Sequence, residues 1–145
     1  MFEKEYDIIV VGGGHSGAEA SLAAARMGSS VLLITMNLNT IAQMSCNPAM
    51  GGIAKGQIIR EIDALGGGSG IISDLSAIQF RMLNKSKGPA MWSPRVQSDR
   101  NMFSKLWRET LEKTDKLDFY QESVVELLII KNKISGVITS LGARI

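Results

Sequence analysis

The chain has 145 residues, of which 45% are hydrophobic and 21% are charged. This length and composition fit one domain with a buried core, and they exclude an intrinsically disordered chain and a disulfide-stapled miniprotein. The formal net charge of +2 is too small to indicate a nucleic-acid or membrane partner by itself, although residues 81–108 hold seven basic side chains and one acidic side chain.

The start of the chain and its single cysteine favour a cytoplasmic protein. Residues 1–7 are acidic and lack the basic region of a signal peptide. Residues 27–54 carry no charge, but Asn, Gln, Pro and Gly interrupt them, so we expect no membrane-spanning helix and no membrane partner. Cys46 has no second cysteine to pair with, which favours a reducing compartment.

The first 35 residues predict a strand, a glycine turn, a helix and a second strand. Residues 6–11 are apolar and β-rich, which indicates a strand buried on both faces of a parallel sheet. Residues 15–27 predict a helix that is closed by Gly28 and buries Ala18, Leu22 and Ala25. Residues 31–34 predict the second buried strand.

Two further helices are predicted in the middle of the chain. One covers residues 53–65 and is closed by glycines 66–68, with an inward stripe of Ile58, Ile59, Ile62 and Leu65. The other covers residues 99–116, with Ser98 as its N-cap and an apolar face of Phe103, Leu106, Trp107 and Leu111. The tail predicts strands over residues 117–120, 124–130 and 134–139, with a hairpin turn at 131–133.

The glycine turn matches the dinucleotide-binding fingerprint. Gly12, Gly14 and Gly17 form G-x-G-x-x-G between a predicted strand and a predicted helix. These glycines permit a tight turn, close approach of a pyrophosphate, and packing of helix on strand. The acidic residue expected about 20 residues later is absent, and Thr35 or Asn37 would have to replace it. The pattern favours dinucleotide binding over a glycine-rich turn that binds nothing.

An uncharged, glycine-rich loop at residues 44–57 leads into the second predicted helix. Its N–H groups could hold an anion or a ring edge, and Lys55 could reach inward. Cys46 precedes this helix, whose N-terminus would activate the thiol as a nucleophile. From the residues alone, a small buried hydrophobe is the stronger interpretation of this cysteine.

Residues 79–100 interleave basic side chains with Phe80 and Trp92 around a Gly-Pro turn. Such a segment could grip phosphates and stack a base, and it is equally typical of a solvated basic loop over a core tryptophan. His15 lies between fingerprint glycines, where its backbone matters more than its ring. No metal site is predicted.

Four motifs together carry a family resemblance. They are Gly-Gly-Gly-His-Ser-Gly at 12–17, Ser-Cys-Asn-Pro-Ala-Met-Gly-Gly-Ile-Ala-Lys-Gly at 45–56, Glu-Ile-Asp-Ala-Leu-Gly-Gly at 61–67 and Gln-Phe-Arg-Met-Leu-Asn-Lys-Ser-Lys-Gly-Pro-Ala at 79–90. They closely resemble the MnmG (GidA) family of tRNA uridine 5-carboxymethylaminomethyl modification enzymes. The resemblance implies an α/β fold, namely a Rossmann-type, glutathione-reductase-like FAD-binding domain with a parallel sheet and the start of a β-meander.

The resemblance also implies the chemistry. Members are FAD flavoproteins and homodimers that use NADH as reductant and, with the GTPase MnmE, modify C5 of the wobble uridine in certain tRNAs. Val124 matches the position whose backbone contacts the adenine end of FAD, and Cys46 matches a cysteine implicated in modification, which reverses the interpretation from the residues alone. The residues that match the pyrophosphate loop are Gly12, Gly13, Gly14, His15, Ser16 and Gly17.

Members of this family are several times longer than 145 residues. We therefore expect an N-terminal fragment of the FAD-binding domain, without the NADH-binding insertion and the C-terminal helical region that meets MnmE. Alone, it is expected to bind FAD weakly and to modify no tRNA. Two alternatives stay open: a non-catalytic nucleotide-binding scaffold whose residues 81–108 contact tRNA, and another FAD enzyme such as the folate-dependent tRNA uridine-5-methyltransferase, against which the 45–56 motif argues.

Overall fold

The computed structural model describes residues 4–53 and 55–145. The chain divides into two compact units. The first unit runs to Ile41 and resumes at Leu111–Ile145, and the second is Ala42–Thr110. Within the described ranges, every helix is too short or too polar to cross a membrane.

Eight strands and four α-helices are found among the described residues. In chain order they are β1 (Ile8–Val11), α1 (His15–Arg26), β2 (Val31–Thr35), β3 (Ala49–Gly51), α2 (Lys55–Ala64), α3 (Ser69–Leu75), β4 (Ala77–Leu83), β5 (Ser93–Ser98), α4 (Arg100–Glu112), β6 (Leu117–Gln121), β7 (Val124–Ile130) and β8 (Lys133–Thr139). Short 3-10 turns cover Leu38–Thr40, Lys85–Lys87 and Pro89–Met91.

The first unit is built on a parallel sheet in the order β1-β2-β6. Ile8 pairs with Val31, and Val31 pairs in turn with Leu117. The four residues from Val31 to Ile34 are at most 1% exposed, so β2 is the buried centre of the sheet, as its unbroken apolar run predicts. The predicted strands at 6–11, 31–34 and 117–120 are confirmed, with the first beginning two residues later than expected. The predicted burial of the first strand on both faces is wrong, because β1 stands at the end of the sheet order and Ile8 and Val11 are 38% and 54% exposed.

Helix α1 packs on this sheet through small side chains. Its buried residues are Ala18, Ser21, Leu22 and Ala25, which include the predicted stripe. The helix ends where Gly28 adopts a left-handed φ of +99° and donates its N–H to the carbonyl of Ala25 at 2.9 Å. Gly28 therefore closes the helix, as the sequence predicts.

Strands β7 and β8 form an antiparallel hairpin in the first unit. Its turn places Lys131 and Asn132 at φ of +49° and +62°, which is the double left-handed conformation that hairpin turns favour. The predicted turn at 131–133 is confirmed. From this hairpin, Val137 joins Leu32 and Ile34 in a buried cluster, so the hairpin and the parallel sheet share one core.

The second unit contains an antiparallel sheet in the order β3-β5-β4. These strands and helix α3 were not predicted. Strand β5 reads Ser-Pro-Arg-Val-Gln-Ser, and β4 places Gln79 and Arg81 on one face, so neither strand has the continuous apolar run of β2. In β5 the buried residues are Ser93, Val96 and Ser98, whereas Ile78 and Phe80 of β4 are 70% and 58% exposed, so neither strand has the pattern of a strand buried on both faces.

The predicted burial of α2 is wrong for two of its four residues. Ile58 is 55% exposed and Leu65, just beyond the helix, is 90% exposed, whereas Gly56 is buried. A Cβ added at Gly56 would lie 2.7 Å from both Cδ and the carbonyl oxygen of Pro94. Because glycine has no Cβ, α2 can pack closely against β5 at this position. The predicted helix included Ala54, which lies outside the described residues.

The apolar face of α4 is confirmed, but its predicted cap is wrong. Phe103, Trp107 and Leu111 are each 0% exposed. The N-cap is Asp99, whose Oδ1 accepts the N–H groups of the second and third helical residues at 2.9 Å each. Ser98 cannot take this role because it is the last residue of β5, and its Oγ is buried without a partner among the described residues.

Candidate functional site

The turn after β1 holds the chain in a conformation that requires glycine at two positions. Gly12 has a φ of +101°, and its N–H donates to the carbonyl oxygen of Ile34 at 2.8 Å. A Cβ added at Gly17 would collide with the carbonyl oxygen of Gly12. The first helical turn therefore lies directly against the strand that precedes it, which is the tight geometry of a dinucleotide-binding turn.

The N-terminus of α1 is open to an anion. Its N-cap is Gly14, in an extended conformation, which offers no side chain to the first-turn N–H groups. The first turn, which holds His15, Ser16 and Gly17, contains no acidic side chain. The positive end of the helix dipole and its N–H groups are thus neither capped nor neutralised by this turn's own side chains.

A pocket of about 370 Å³ lies at the carboxyl ends of β1, β2 and β6. This is the edge at which open α/β sheets bind their ligands. The pocket brings together residues that are far apart in the sequence, among them Gly12, Gly13, Gly14, Thr35, Glu122 and Val124. His15, Ser16 and Gly17 follow directly in the first turn of α1, so the predicted pyrophosphate loop and Val124 occupy one region of the first unit.

Thr35 ends β2 at the position where the dinucleotide fingerprint expects an acidic residue. Its side chain borders the pocket, and its Oγ1 would lie only 3.1 Å from a Cβ added at Gly13. The middle glycine of the turn is therefore packed against the threonine. A side chain at position 13 would push Thr35 away from the pocket wall.

Glu122 supplies the acidic group of this pocket, and sequence reasoning missed it. It follows β6 directly, and its N–H donates to the carbonyl of Thr35 at 3.0 Å. Its Oε1 accepts hydrogen bonds from the N–H of Leu141 at 2.7 Å and from Ser140 Oγ at 2.9 Å. Its position in the sequence could have indicated this role, because Glu122 is an acidic residue at the carboxyl end of a predicted strand of the parallel sheet.

The carboxyl group of Glu122 is held in its charged form. Desolvation by the surrounding protein raises its pKa, but hydrogen bonds from Thr139, Leu141, Ser140 and Tyr120 outweigh that effect and lower the pKa below its ordinary value. A carboxylate fixed in this way carries its negative charge at neutral pH beside the glycine turn.

Replacing Glu122 with glutamine is expected to reduce the loss of stability in acid. Because the pKa of Glu122 is lower in the folded chain than in the unfolded chain, its ionisation stabilises the fold above its ordinary pKa, and this contribution is lost as the pH falls. Urea unfolding should show that the free energy of unfolding falls more steeply for the wild type than for Glu122→Gln between about pH 5 and pH 3. Glu126→Gln, on exposed β7, is the matched control, and identical slopes for all three proteins would contradict the assignment.

Cys46 lies on the exposed surface of the second unit, so its interpretation as a buried hydrophobe is wrong. Its carbonyl oxygen accepts a hydrogen bond from Nη2 of Arg100 at 2.7 Å, which fixes the backbone of the loop. Strand β3 lies between this cysteine and α2 in the sequence. Among the residues that the structure describes, no three His, Cys, Asp or Glu side chains are grouped to hold a metal ion.

The basic segment at 79–100 is a strand pair rather than a loop over a core tryptophan. Strands β4 and β5 pair antiparallel, and the two 3-10 turns connect them. Trp92 is 39% exposed and donates its Nε1–H to the carbonyl of Lys85 at 3.3 Å, and Phe80 is 58% exposed. The fully buried tryptophan is Trp107.

Comparison with known families and curated proteins gives a consistent match. The model of the family described as "Glucose inhibited division protein A" matches residues 7–145. A protein of Christiangramia forsetii named tRNA uridine 5-carboxymethylaminomethyl modification enzyme MnmG is 72% identical over 145 residues, which are 100% of this chain and 23% of that protein. The chain thus spans about a quarter of the length of the curated relatives it matches.

Solved structures show the same fold. Aquifex aeolicus GidA superposes with a TM-score of 0.94 at 49% identity, covering 97% of this chain and 23% of that chain. The flavin-dependent brominase Bmp2, solved as a triple mutant, superposes with a TM-score of 0.65 at 18% identity, covering 97% of this chain and 36% of that one, and this likeness concerns the fold alone. The predicted α/β, Rossmann-type fold of FAD-binding domains is confirmed.

Proposed function

Since the chain belongs to the glucose inhibited division protein A family, we propose that it forms the FAD-binding portion of a tRNA-modifying flavoprotein. With the GTPase MnmE, that enzyme adds a (carboxymethyl)aminomethyl group to C5 of the wobble uridine of certain tRNAs. The observation that carries the FAD assignment is the pocket at the carboxyl ends of the parallel strands, into which the glycine turn and the uncapped start of α1 open. The tRNA assignment rests on the name of the 72% identical relative.

The length of the relatives supports the proposed domain assignment. We place residues 1–145 in the N-terminal part of the FAD-binding domain. A chain that spans 23% of its relatives leaves most of their length to other elements. The NADH-binding insertion, the C-terminal helical region that meets MnmE and the homodimer contacts belong to that remaining length. NADH is the reductant of the flavin.

The residues of the pocket fit a dinucleotide. The backbone of Gly12, Gly13 and Gly14 and the first-turn N–H groups of α1 would hold the pyrophosphate, since no capping side chain or first-turn acid competes there. A Cβ added at Gly14 would meet nothing within 4 Å, so the space above that glycine is open for a ligand. The backbone of Val124 would meet the adenine end. Bound FAD supplies hydride chemistry, which the side chains of this unit cannot provide.

We assign Cys46 the role of a nucleophile in the modification reaction. Its thiol is on an exposed loop, which a macromolecular substrate can reach, and the Arg100 hydrogen bond to its carbonyl holds that loop in place. The thiolate is the reactive form of cysteine in such chemistry.

A chimera tests both assignments. Residues 1–145 would replace the corresponding residues of the Christiangramia forsetii relative, with which they share 72% identity. We expect the chimera to retain FAD and to modify wobble uridine, as measured by mass spectrometry of digested tRNA. The Cys46→Ser chimera should keep its FAD and lose modification, and Ser45→Ala is the neighbouring control. An inactive, folded chimera would count against the proposed function, and an active Cys46→Ser chimera would remove this cysteine from the reaction.

A further inference from the structure

One face of the antiparallel sheet carries two matched pairs of polar side chains. The register of β4 and β5 places Gln79 opposite Gln97 and Arg81 opposite Arg95. Side chains alternate between the faces of a strand, so all four lie on the same face. The other face presents Phe80 and Val96, which line a cavity of about 220 Å³ together with residues of α2 and α3. The polar pairs therefore lie on the face opposite Phe80 and Val96.

The arginine pair has no counter-ion among the described residues. Side chains that face each other on antiparallel strands have Cβ atoms about 4.5–5.5 Å apart, and like charges at that distance destabilise the sheet. Within residues 4–53 and 55–145, neither guanidinium makes an ion pair or a hydrogen bond, and Arg95 is only partly exposed. A partly buried cation beside a second cation is stabilised when an anion binds between the two.

We propose that this face binds one nucleotide of a single-stranded RNA, with its phosphate on Arg81 and Arg95 and its base edge on Gln79 and Gln97. This inference rests on the proposed function, because it locates a binding site for the RNA substrate. Arginine is suited to phosphate because its planar fork donates two parallel hydrogen bonds. Each glutamine amide offers both donors and an acceptor, which is what recognition of a base edge requires.

The dimensions and the charge of the surroundings agree with this assignment. The two pairs are two residues apart along each strand, or about 7 Å, so one nucleotide can reach both. Gln79 and Gln97 form no side-chain hydrogen bond with any described residue, so their amides are available to a ligand. Residues 81–108 carry six more positive than negative charges, which attracts a polyanion to this part of the chain.

The test uses the 145-residue chain and a fluorescein-labelled decauridylate, with binding followed by fluorescence anisotropy over a range of salt concentrations. Arg81→Gln with Arg95→Gln should weaken binding at least tenfold and reduce the slope of log affinity against log salt by about 0.7, the value for one phosphate contact on a single strand. Lys131→Gln with Lys133→Gln is the matched control, because it removes two positive charges from the β7–β8 turn. This control should bind the oligonucleotide as the wild type does.

Two further variants separate folding from binding. Arg81→Lys with Arg95→Lys keeps the positive charges but cannot donate two parallel hydrogen bonds from each side chain. Its affinity for decauridylate should therefore lie between those of the wild type and Arg81→Gln with Arg95→Gln. Gln79→Ala with Gln97→Ala should abolish any preference for decauridylate over decaadenylate and leave the salt slope unchanged. Because the arginines repel each other, Arg81→Gln with Arg95→Gln should be at least as stable as the wild type to urea.

Three results would overturn the proposal. The first is that the wild type does not bind decauridylate. The second is that Arg81→Gln with Arg95→Gln binds decauridylate as tightly as the control Lys131→Gln with Lys133→Gln. The third is full competition by inorganic phosphate or uridine monophosphate at the concentration of decauridylate nucleotides, which would indicate a site for free anions. Each of these results is read from binding alone. The proposed function is read from tRNA modification by the chimera, so the failure of one is distinguishable from the failure of the other.

Discussion

Gly17→Ala is expected to destabilise the first unit by about 3 kcal/mol or more and to abolish FAD binding. The added methyl group would collide with the carbonyl oxygen of Gly12, which is a backbone atom and cannot rotate away. The helix would have to move off the strand, and the turn that precedes it would open. Urea unfolding measures the loss of stability, and quenching of flavin fluorescence during an FAD titration measures the loss of binding.

Gly14→Ala is the control that separates the fold from the ligand. Its Cβ would meet nothing within 4 Å, and the φ of this residue is −72°, so the substitution should change stability by less than about 1 kcal/mol. FAD affinity should nevertheless fall, because the methyl group would stand where the backbone approaches the pyrophosphate. Wild-type stability in Gly17→Ala would contradict the packing argument, and wild-type FAD affinity in Gly14→Ala would contradict the placement of the cofactor.

Trp107→Ala is expected to reduce the free energy of unfolding by about 3–5 kcal/mol. Trp107 is 0% exposed and is the largest fully buried side chain among the described residues. Removing its ring leaves a cavity in the apolar face of α4, which also contains Phe103 and Leu111. A loss of this size is a large part of the total stability of about 5–15 kcal/mol that a domain has. Guanidinium unfolding, followed by circular dichroism, measures it.

Two substitutions test the cause of this loss. Trp107→Phe keeps a buried aromatic ring and removes an Nε1–H that has no acceptor among the described residues, so it should cost clearly less than the alanine variant. Trp92→Ala removes a tryptophan that is 39% exposed, and it should cost less still. If Trp92→Ala were as damaging as Trp107→Ala, burial would not be what distinguishes the two residues.

The parts of the fold that were predictable are those whose local pattern and tertiary burial agree. Strand β2 is an unbroken apolar run, and α1 is alanine-rich, begins after a glycine turn and ends at Gly28. The loop glycines of the candidate site were found because close backbone approach and tight turns require that residue. Val124 was identified from the family resemblance, and the structure places it at the same pocket.

The parts that were not predictable depend on contacts distant in the sequence. Strands β4 and β5 were not predicted because their sequences contain polar residues in place of a continuous apolar run. Their pairing depends on contacts between the two strands, which the local sequence pattern does not show. The orientation of α2 depends on how Gly56 meets Pro94, and no periodicity of the isoleucines reveals that contact. Glu122 was missed because β6 joins the parallel sheet only after the whole second unit has intervened.

That late return of β6 has a consequence for the order of folding. Residues 36–116 separate the paired strands β2 and β6, so closing this loop carries a large entropic cost before the parallel pairing can form. During synthesis, the glycine turn emerges early, but the pocket wall formed by Glu122 and Val124 is made more than 100 residues later. The pocket at the carboxyl ends of β1, β2 and β6 is therefore among the last features of the first unit to be completed. A cofactor that binds there binds only chains in which β6 has already paired with β2.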